Sequence, residues 1–233
     1  MSDAVHSLLH ALEFEFVRRA LLAGLAASIL CGTLGVFVVS KRISFLGDGI
    51  AHAAFGGLGL CYFLGIDPRI GAIAVAVACA LVLGLVGNER LRGHDALIGV
   101  LYAGGMAAGI LFLHKAPGYA PNLSAYLFGN LLLVTRTDLW LTLAMTAFTL
   151  LVLGVLRRPI VAAAFDEVFA FVQGVPVRGL FTLLLVLIAL AVVVLIQVAG
   201  VVLVVALLTI PPLTGRGLSK SLSGTIAISV VAA

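Results

Sequence analysis

The sequence predicts an all-α protein, a polytopic integral membrane bundle with about seven spans or half-spans. Three observations lead to this class: 63% of the 233 residues are hydrophobic, only 10% are charged, and the mean hydropathy is +1.26. A soluble domain carries about 25% charged residues because it must cover its surface with polar groups. The apolar side chains of this chain must instead face lipid or one another, which excludes an ordinary water-soluble domain.

Seven stretches of the chain lack Asp, Glu, Lys and Arg, and each has about the length of one span or more. A bilayer core about 30 Å thick needs about 20 apolar residues in a helix. Lipid accepts only backbones that satisfy their own hydrogen bonds, and the alternating segments of a β-barrel are absent. We therefore expect helices or buried re-entrant pieces at Ala20–Ser40, Gly49–Ile66, Ile70–Asn88, Ala96–His114, Ala116–Thr135, Leu139–Leu156 and Gly179–Gly215.

The first 19 residues predict a short amphipathic helix that lies at the membrane interface. Apolar residues at helical spacing indicate it, namely Val5, Leu8, Leu9, Leu12 and Phe16. Its acidic residues precede its basic ones, which is the reverse of a signal peptide. The expected division of the chain is an interfacial helix over 1–19 and a transmembrane domain over 20–233.

Two of the seven stretches do not fit a single straight crossing. As one helix, the 37 residues of Gly179–Gly215 would reach roughly 55 Å. This length, with Gly200 near the middle, predicts one full span outward and a shorter returning piece that Pro211–Pro212 ends. Ala116–Thr135 contains Pro, Gly and Asn residues, which favour a loop followed by a short or re-entrant helix. The last 13 residues are apolar and resemble the beginning of a further span, so a truncated C-terminus is expected.

The distribution of Lys and Arg predicts which ends of the spans face the cytoplasm. The better of the two orientations puts nine of these residues inside and leaves five outside. Arg18 and Arg19 oppose this orientation unless the first helix lies at the interface. The net charge of +4 is modest and does not indicate nucleic-acid binding. The inside set is Lys41, Arg42, Arg90, Arg92, Arg157, Arg158, Arg178, Arg216 and Lys220.

The strongest chemical signal is the pair of Asp48 and His52, four residues apart. On a helix this spacing puts both side chains on one face. A carboxylate and an imidazole suit Zn²⁺ and other first-row divalent ions, and an ionisable residue within a span suggests a function by default. A purely structural hydrogen bond of Asp48 to His52 or Lys41 is the alternative at this point. Two ligands do not complete a site, but a two-fold homodimer would supply two such pairs.

The remaining polar residues within the spans give weaker signals. Asn130 and Gln197 interrupt apolar runs, where such residues more often form interhelical hydrogen bonds than bind metal. The spacing of the three cysteines, Cys31, Cys61 and Cys79, indicates neither disulfides nor a zinc knuckle. The motifs G-x-x-x-x-G-K-S/T, H-E-x-x-H and G-x-S-x-G do not occur. We therefore expect a protein that is not an enzyme and has no nucleotide-binding loop.

The loop 157–178 predicts a short cytoplasmic helix. Asp166 and Glu167 favour its beginning, and Gly174 favours its end. Such a helix would either dock on a partner or rest on the membrane. Its apolar face would consist of Phe165, Phe169 and Val172.

Together these segments resemble the permease subunit of bacterial ATP-binding-cassette importers for zinc, manganese or iron. The likeness runs in order from about residue 20 to about residue 220. Where the family usually has Pro-Ala-Ala-Thr-Ala, this chain differs at 211–215, and relatives continue with further spans. Four groups of residues carry the likeness: Gly35–Val39 with Arg42–Asp48 and Ala51–Ala53; Asp95–Gly99; Tyr126–Asn130; and Phe165–Asp166 with Gly174–Val177, Gly200–Val201 and Ile210–Pro211.

The resemblance implies a multi-pass protein of the bacterial cytoplasmic (inner) membrane that acts as a homodimer. Its partners would be a separate cytoplasmic ATP-binding subunit, an extracytoplasmic metal-binding protein and membrane lipid. No cofactor would be held permanently; the transported ion would be zinc first, with manganese or iron as the other candidates. Asp48 and His52 would correspond to metal-pathway residues, with Asn130 as a further candidate. The residues expected to contact the ATPase are Phe165, Asp166, Glu167, Phe169, Gly174, Thr214 and Arg216.

Two other functions fit the sequence less well. A stand-alone secondary carrier for divalent cations would usually need more ionisable groups within its spans. A non-transporting membrane scaffold would leave Asp48 and His52 as a purely structural pair.

Overall fold

The structure, a computed structural model, describes residues 13–86, 94–116, 128–165, 167–219 and 221–233. Within these ranges it is helical and contains no strand, which confirms the all-α prediction. Five of the helices described are long and apolar enough to cross a membrane: α1, α3, α4, α5 and α8. In order the helices are α1 (Glu15–Ser40), α2 (Phe45–Phe63), α3 (Pro68–Val86), α4 (His94–Lys115), α5 (Arg136–Val155), α6 (Arg157–Phe165), α7 (Glu167–Val172), α8 (Val177–Leu218) and α9 (Leu222–Ala232).

Two sequence expectations fall partly outside these ranges. The interfacial helix expected over 1–19 is described only from residue 13 onward, and α1 begins at Glu15. Most of the stretch Ala116–Thr135 is also not described. Its described part contains one 3-10 turn, Leu131–Leu133, which follows Gly129 and Asn130.

Helix α8 reverses direction at Gly200. This residue has φ 77° and ψ 163°, a conformation that glycine adopts without the strain of a side chain. A Cβ placed on Gly47 of α2 would lie 3.9 Å from Val192 and 3.3 Å from Leu208, so both residues adjoin the same point. In a straight helix those two residues would be about 24 Å apart. The expected full span with a returning piece is therefore confirmed, and we call its parts the outgoing arm and the returning arm.

The returning arm does not end at the two prolines, as the sequence predicted, but continues to Leu218. Pro211 and Pro212 are both buried within the helix. Prolines are tolerated in membrane helices where a neighbouring helix covers the interrupted backbone. Here Gly35 of α1 packs directly against Pro212 and against the Leu208 carbonyl oxygen, which lacks an N–H donor at position 212.

Helix α8 forms the centre of the bundle and packs against α1, α2 and α3. Its buried positions are mainly aliphatic, among them Leu185, Ile188, Leu195 and Ile196. Helices α4 and α5 lie at the periphery, because only 17% and 28% of their apolar windows are buried, against 72% for α1. The bundle therefore has a buried centre and a largely uncovered outer helix, α4.

The ends of the helices form two groups, which we call the basic end and the opposite end. At the basic end the Lys41 ammonium group donates to the Ala163 carbonyl oxygen at 3.0 Å, which ties the α1–α2 turn to α6. Exposed arginines lie at the beginning of α6 and near the two ends of α8: Arg157, Arg158, Arg178 and Arg216. The reversal of α8 brings both of its termini to this same end.

At the opposite end, arginines are paired with carboxylates. Glu15 accepts hydrogen bonds from both Arg19 and Arg136, and Arg69 lies 3.0 Å from the Asp138 carboxylate. Arg19, Arg69 and Arg136, which the predicted orientation places outside the cytoplasm, thus each have an acidic partner. This pairing reduces the conflict that the sequence presents.

Candidate metal centre

Helix α2 carries the candidate ligands. Its 19 residues are largely apolar and include Asp48, His52 and five glycines. Asp48 lies in the first turn of α2. The positive end of the helix dipole favours a carboxylate at that position.

Asp48 and His52 are in direct contact. The Nδ1 atom of His52 lies 3.3 Å from the Asp48 Oδ1 atom and 3.0 Å from the Asp48 backbone carbonyl oxygen. A proton on Nδ1 can serve these oxygens, which leaves the Nε2 lone pair to bind a metal ion. His52 is 8% exposed, whereas the Asp48 side chain is 35% exposed. The pair thus combines a buried, oriented imidazole with an accessible carboxylate.

Tyr102 of α4 is a third member of this site that the sequence analysis missed. Its ring centroid lies 4.1 Å from that of His52, and the two ring planes are inclined by 35°. Fifty positions separate the two residues in the chain, so only the packing of α2 on α4 brings them together. The signal available in the sequence was a polar aromatic residue close to the small residues Gly105 and Gly109.

Small residues set the distance between α2 and α4. A Cβ on Gly56 would lie 2.8 Å from the Gly105 carbonyl oxygen, and one on Gly59 would lie 2.6 Å from the Gly109 carbonyl oxygen. The backbones of the two helices are therefore in contact, as expected for small residues in membrane helices. This close approach places Tyr102 against His52.

Asn130, the lower-ranked metal candidate, is not close to this pair. Its side-chain oxygen accepts a hydrogen bond from the Leu132 N–H at 3.1 Å and caps the 3-10 turn. The preceding Gly129 packs against Gly200 at the opposite end of the bundle. Gly47, which precedes Asp48, adjoins α8 at Val192 and Leu208, each eight residues or about 12 Å along the helix from Gly200. The structure therefore gives Asn130 a local capping contact and does not bring it to Asp48.

The described residues provide only part of a metal coordination sphere. Among them, no group of three His, Cys, Asp or Glu side chains could surround an ion. Cys31, Cys61 and Cys79 are free thiols. One chain thus offers one carboxylate and one imidazole, a set that binds an ion weakly unless further ligands are added.

Of the residues expected to contact an ATPase, those that the structure describes lie at the basic end. Gly174, with φ 77°, follows α7, and the Val175 N–H donates to the Ala170 carbonyl oxygen at 3.0 Å, so the predicted helix end is confirmed. The beginning at Glu167 also agrees, although Asp166 is outside the described residues. Beyond α7, Thr214 and Arg216 are exposed near the end of α8.

Helix α6 was not expected from the sequence. It spans Arg157–Phe165 and has Pro159 in its first turn, where a missing N–H does not cost a helical hydrogen bond. The following α7 exposes a set of apolar side chains: Val168, Phe169, Phe171 and Val172. The basic end therefore presents an apolar surface next to exposed arginines.

Comparisons with known proteins assign the chain to a family. It matches the ABC 3 transport family over residues 13–233. It is 36% identical over 211 residues to the manganese transport system membrane protein MntC of Halalkalibacterium halodurans, covering 91% of this chain and 72% of that protein. It is 35% identical over 224 residues to a probable iron transport system membrane protein of Haemophilus influenzae, covering 96% and 82%.

The fold also matches a solved structure, PsaBC from Streptococcus pneumoniae in complex with Fab. The TM-score is 0.84 at 31% sequence identity, and the match covers 97% of this chain and 82% of that chain. The chain belongs to the ABC 3 transport family and is a permease subunit of a metal ATP-binding-cassette importer, a multi-pass protein of the bacterial inner membrane. The resemblance inferred from the sequence is thereby confirmed. The two relatives are named for manganese and iron, so they do not support the zinc preference.

Proposed function

We propose that two copies of this chain form the pathway for a first-row divalent metal ion, with Asp48 and His52 as transient ligands. The observation that carries this proposal is the contact of a buried imidazole with an accessible carboxylate in a membrane helix. Oxygen and nitrogen ligands suit manganese, iron and zinc alike. We place manganese or iron ahead of zinc because the similar proteins are named for those metals.

The proposed homodimer would complete the metal site. One chain supplies two ligands, and a two-fold axis beside α4 would bring two Asp48–His52 pairs to one ion. The exposed face of α4 carries small residues four positions apart, Gly99, Ala103 and Ala107, and a Cβ on Gly99 would meet no atom within 4 Å. Small residues at such spacing let membrane helices approach closely. This face adjoins Tyr102 and therefore the candidate metal centre.

A separate ATP-binding subunit would drive transport from the basic end, which we assign to the cytoplasm. The exposed apolar residues of α7 would form the contact with this partner, with Gly174 after α7 and the exposed Thr214 and Arg216 near the end of α8. Phe165, Asp166 and Glu167 belong to the same proposed contact. An extracytoplasmic metal-binding protein would deliver the ion to the opposite end. ATP binding would alternate the access of the site, and its incomplete ligand set would let the ion leave.

The ligand assignment is tested by Asp48→Ala and His52→Ala in cells that take up radiolabelled manganese, iron or zinc. Both variants should reach the membrane in normal amounts and reduce uptake to background. Asp67→Ala and His114→Ala, which change exposed residues of the same types outside the pair, should transport normally. Unchanged uptake by Asp48→Ala and His52→Ala would contradict the assignment, and uptake without an ATPase would favour a secondary carrier.

The two proposed interfaces can be tested by cysteine crosslinking. Ala103→Cys should link two copies of the chain, and Val172→Cys should link the chain to the ATP-binding subunit. Leu64→Cys, which is 57% exposed but lies at the opposite end, is the control for the ATPase contact and should not crosslink. Crosslinks from Leu64→Cys to the ATPase, or none from Val172→Cys, would contradict the proposed docking surface.

A further inference from the structure

An open groove of about 880 Å³ lies between α1, α5, α6 and α9. Its volume is within the range of about 300–1,000 Å³ that small-molecule sites occupy. Its wall is mainly apolar and includes Phe37 of α1, Leu150 and Leu153 of α5, and Ile226 of α9. None of these residues belongs to the candidate metal centre or to the proposed α4 interface.

The polar side chains of the groove are concentrated at the basic end. Arg157 and Arg158, the first two residues of α6, both line it and are exposed. In the part of the chain that the structure describes, no carboxylate is paired with either guanidinium group. Ser223, in the first turn of α9, lines the same side. The positive end of the α9 dipole therefore adds to the two arginine charges.

The apolar part of the groove extends from these arginines into the membrane-spanning region. Leu150 precedes Arg157 by seven residues, which corresponds to about 10 Å along the helices. On α1 the groove is lined by Phe37, three residues before the end of that helix, and by Thr33 one turn deeper. A ligand that fills the groove must therefore combine an anionic group with a hydrocarbon chain.

We propose that this groove binds an anionic phospholipid of the surrounding bilayer. Its phosphate would contact Arg157 and Arg158, because guanidinium groups bind phosphate oxygens through paired, charge-assisted hydrogen bonds. One acyl chain would lie along Phe37, Leu150 and Ile226. Basic pockets between membrane helices on the cytoplasmic side are suited to anionic lipid head groups. A soluble anion would leave the apolar wall uncovered, so the lipid fits the whole groove.

The position of the groove gives the lipid a route to the proposed ATPase contact. Helix α6, which begins with the two arginines, leads directly toward α7. The Ala163 carbonyl oxygen of α6 also accepts the Lys41 hydrogen bond. A lipid phosphate held at the beginning of α6 would therefore fix a segment that connects the groove, the α1–α2 turn and α7.

Native mass spectrometry of the chain in detergent can test this inference. Phosphatidylglycerol and phosphatidylcholine with the same acyl chains would be titrated separately. The double variant Arg157→Gln/Arg158→Gln should weaken phosphatidylglycerol binding about tenfold or more. Gly154→Leu should do the same by filling the apolar part of the groove, since a Cβ there meets no atom within 4 Å.

Matched control variants keep the test specific. Arg178→Gln removes another exposed arginine of the basic end, and Gly179→Leu enlarges another helical glycine outside the groove. Both should bind phosphatidylglycerol like the unmodified chain. Phosphatidylcholine should bind weakly and equally to all variants. Loss of phosphatidylglycerol binding in the two groove variants, with no change in phosphatidylcholine binding, would support the proposal.

Four outcomes would overturn the lipid assignment. Equal affinity for the two lipids would remove the role of the arginines, and unchanged binding by Gly154→Leu would remove the role of the groove. Full competition by inorganic phosphate would indicate an anion site without an acyl chain. A photoreactive probe attached to a cysteine at position 154 that labels protein and no lipid would show that another polypeptide segment fills the groove.

Discussion

The ring of Tyr102 lies on the ring of His52, with a centroid separation of 4.1 Å, although the two residues belong to different helices. Asp48 holds the Nδ1 edge of the same imidazole through contacts of 3.0 and 3.3 Å. The imidazole is therefore fixed at one edge by α2 and on one face by α4. Because the imidazole is already held in one orientation, metal binding costs it little further side-chain conformational entropy.

Replacement of Tyr102 by Ala should weaken transport while Tyr102→Phe retains it. An aromatic pair contributes about 0.5–1.5 kcal/mol beyond its buried area, which corresponds to an increase of about two- to tenfold in the KM for metal uptake. Tyr102→Phe keeps the ring and should change KM less than twofold. Uptake kinetics with radiolabelled manganese would provide the measurement. Equal loss in both variants would instead assign the effect to the phenolic hydroxyl.

The adjacent glycines of α4 provide a matched test of the α2–α4 contact. A Cβ on Gly105 would overlap the backbone at Ala53 and lie 2.9 Å from the His52 carbonyl oxygen, whereas one on Gly104 would meet no atom within 4 Å. We expect Gly105→Ala to cost about 1–3 kcal/mol through overpacking and to lower the Tm in detergent. Gly104→Ala should leave the Tm unchanged or raise it through better helix propensity. A lower Tm for Gly104→Ala alone would contradict this account.

The Asp48–His52 pair and the reversal of α8 were predictable because each depends on a short-range property of the chain. A separation of four residues fixes a shared helix face, and a run of 37 uncharged residues is too long for one crossing. Tyr102 was not predictable, since its contact with His52 depends on how two helices pack. Asn130 was expected to form an interhelical hydrogen bond more often than to bind metal, and its side chain caps a local turn.

Gly200→Ala should destabilise the bundle because Gly200 has a positive φ of 77°. A non-glycine residue in such a conformation costs about 1–3 kcal/mol. Gly217→Ala is the matched control, since it lies in the same helix and its Cβ would meet no atom within 4 Å. The thermal unfolding of the two variants in the same detergent would be compared. A Tm of Gly200→Ala equal to that of the unmodified chain would show that the turn at position 200 can relax.

The contact of Arg69 with Asp138 joins α3 to α5 at the opposite end. Asp138 is 9% exposed, and its Oδ2 atom accepts from the Thr135 hydroxyl at 2.6 Å. Its Oδ1 atom faces Arg69 at 3.0 Å without the alignment of a hydrogen bond, so this contact is chiefly electrostatic. Loss of the cation would leave a mostly buried carboxylate without its charge partner.

We therefore expect Arg69→Gln to lower stability by about 1–3 kcal/mol. The double variant Arg69→Gln/Asp138→Asn should recover part of the loss, which a double-mutant cycle of Tm or unfolding free energy would measure. Arg136→Gln, which breaks the exposed pair with Glu15, should cost much less, because water screens an exposed ion pair. An equal loss for Arg69→Gln and Arg136→Gln would mean that burial of Asp138 does not matter.

The two short helices at the basic end were not equally predictable from the sequence. Glu167 and Gly174 mark the beginning and end of α7 by local chemistry, and both were assigned correctly. Helix α6 was not predicted because it contains Pro159, and a proline indicates a helix break unless it falls within the first turn. The exit of the returning arm through Pro211–Pro212 was misjudged for the same reason, since burial against α1 outweighs the local preference.

Gly47 lies between the two arms of α8 and immediately precedes Asp48. Both arms terminate at the basic end, at Val177 and Leu218, so a change in their spread at that end alters the space available to the α2 backbone at Gly47. No side chain at this position stands between the arms and the peptide unit that leads to Asp48. The two arms of α8 meet at Gly200 and both contact the beginning of α2, so the separation of the arms is coupled to the position of α2.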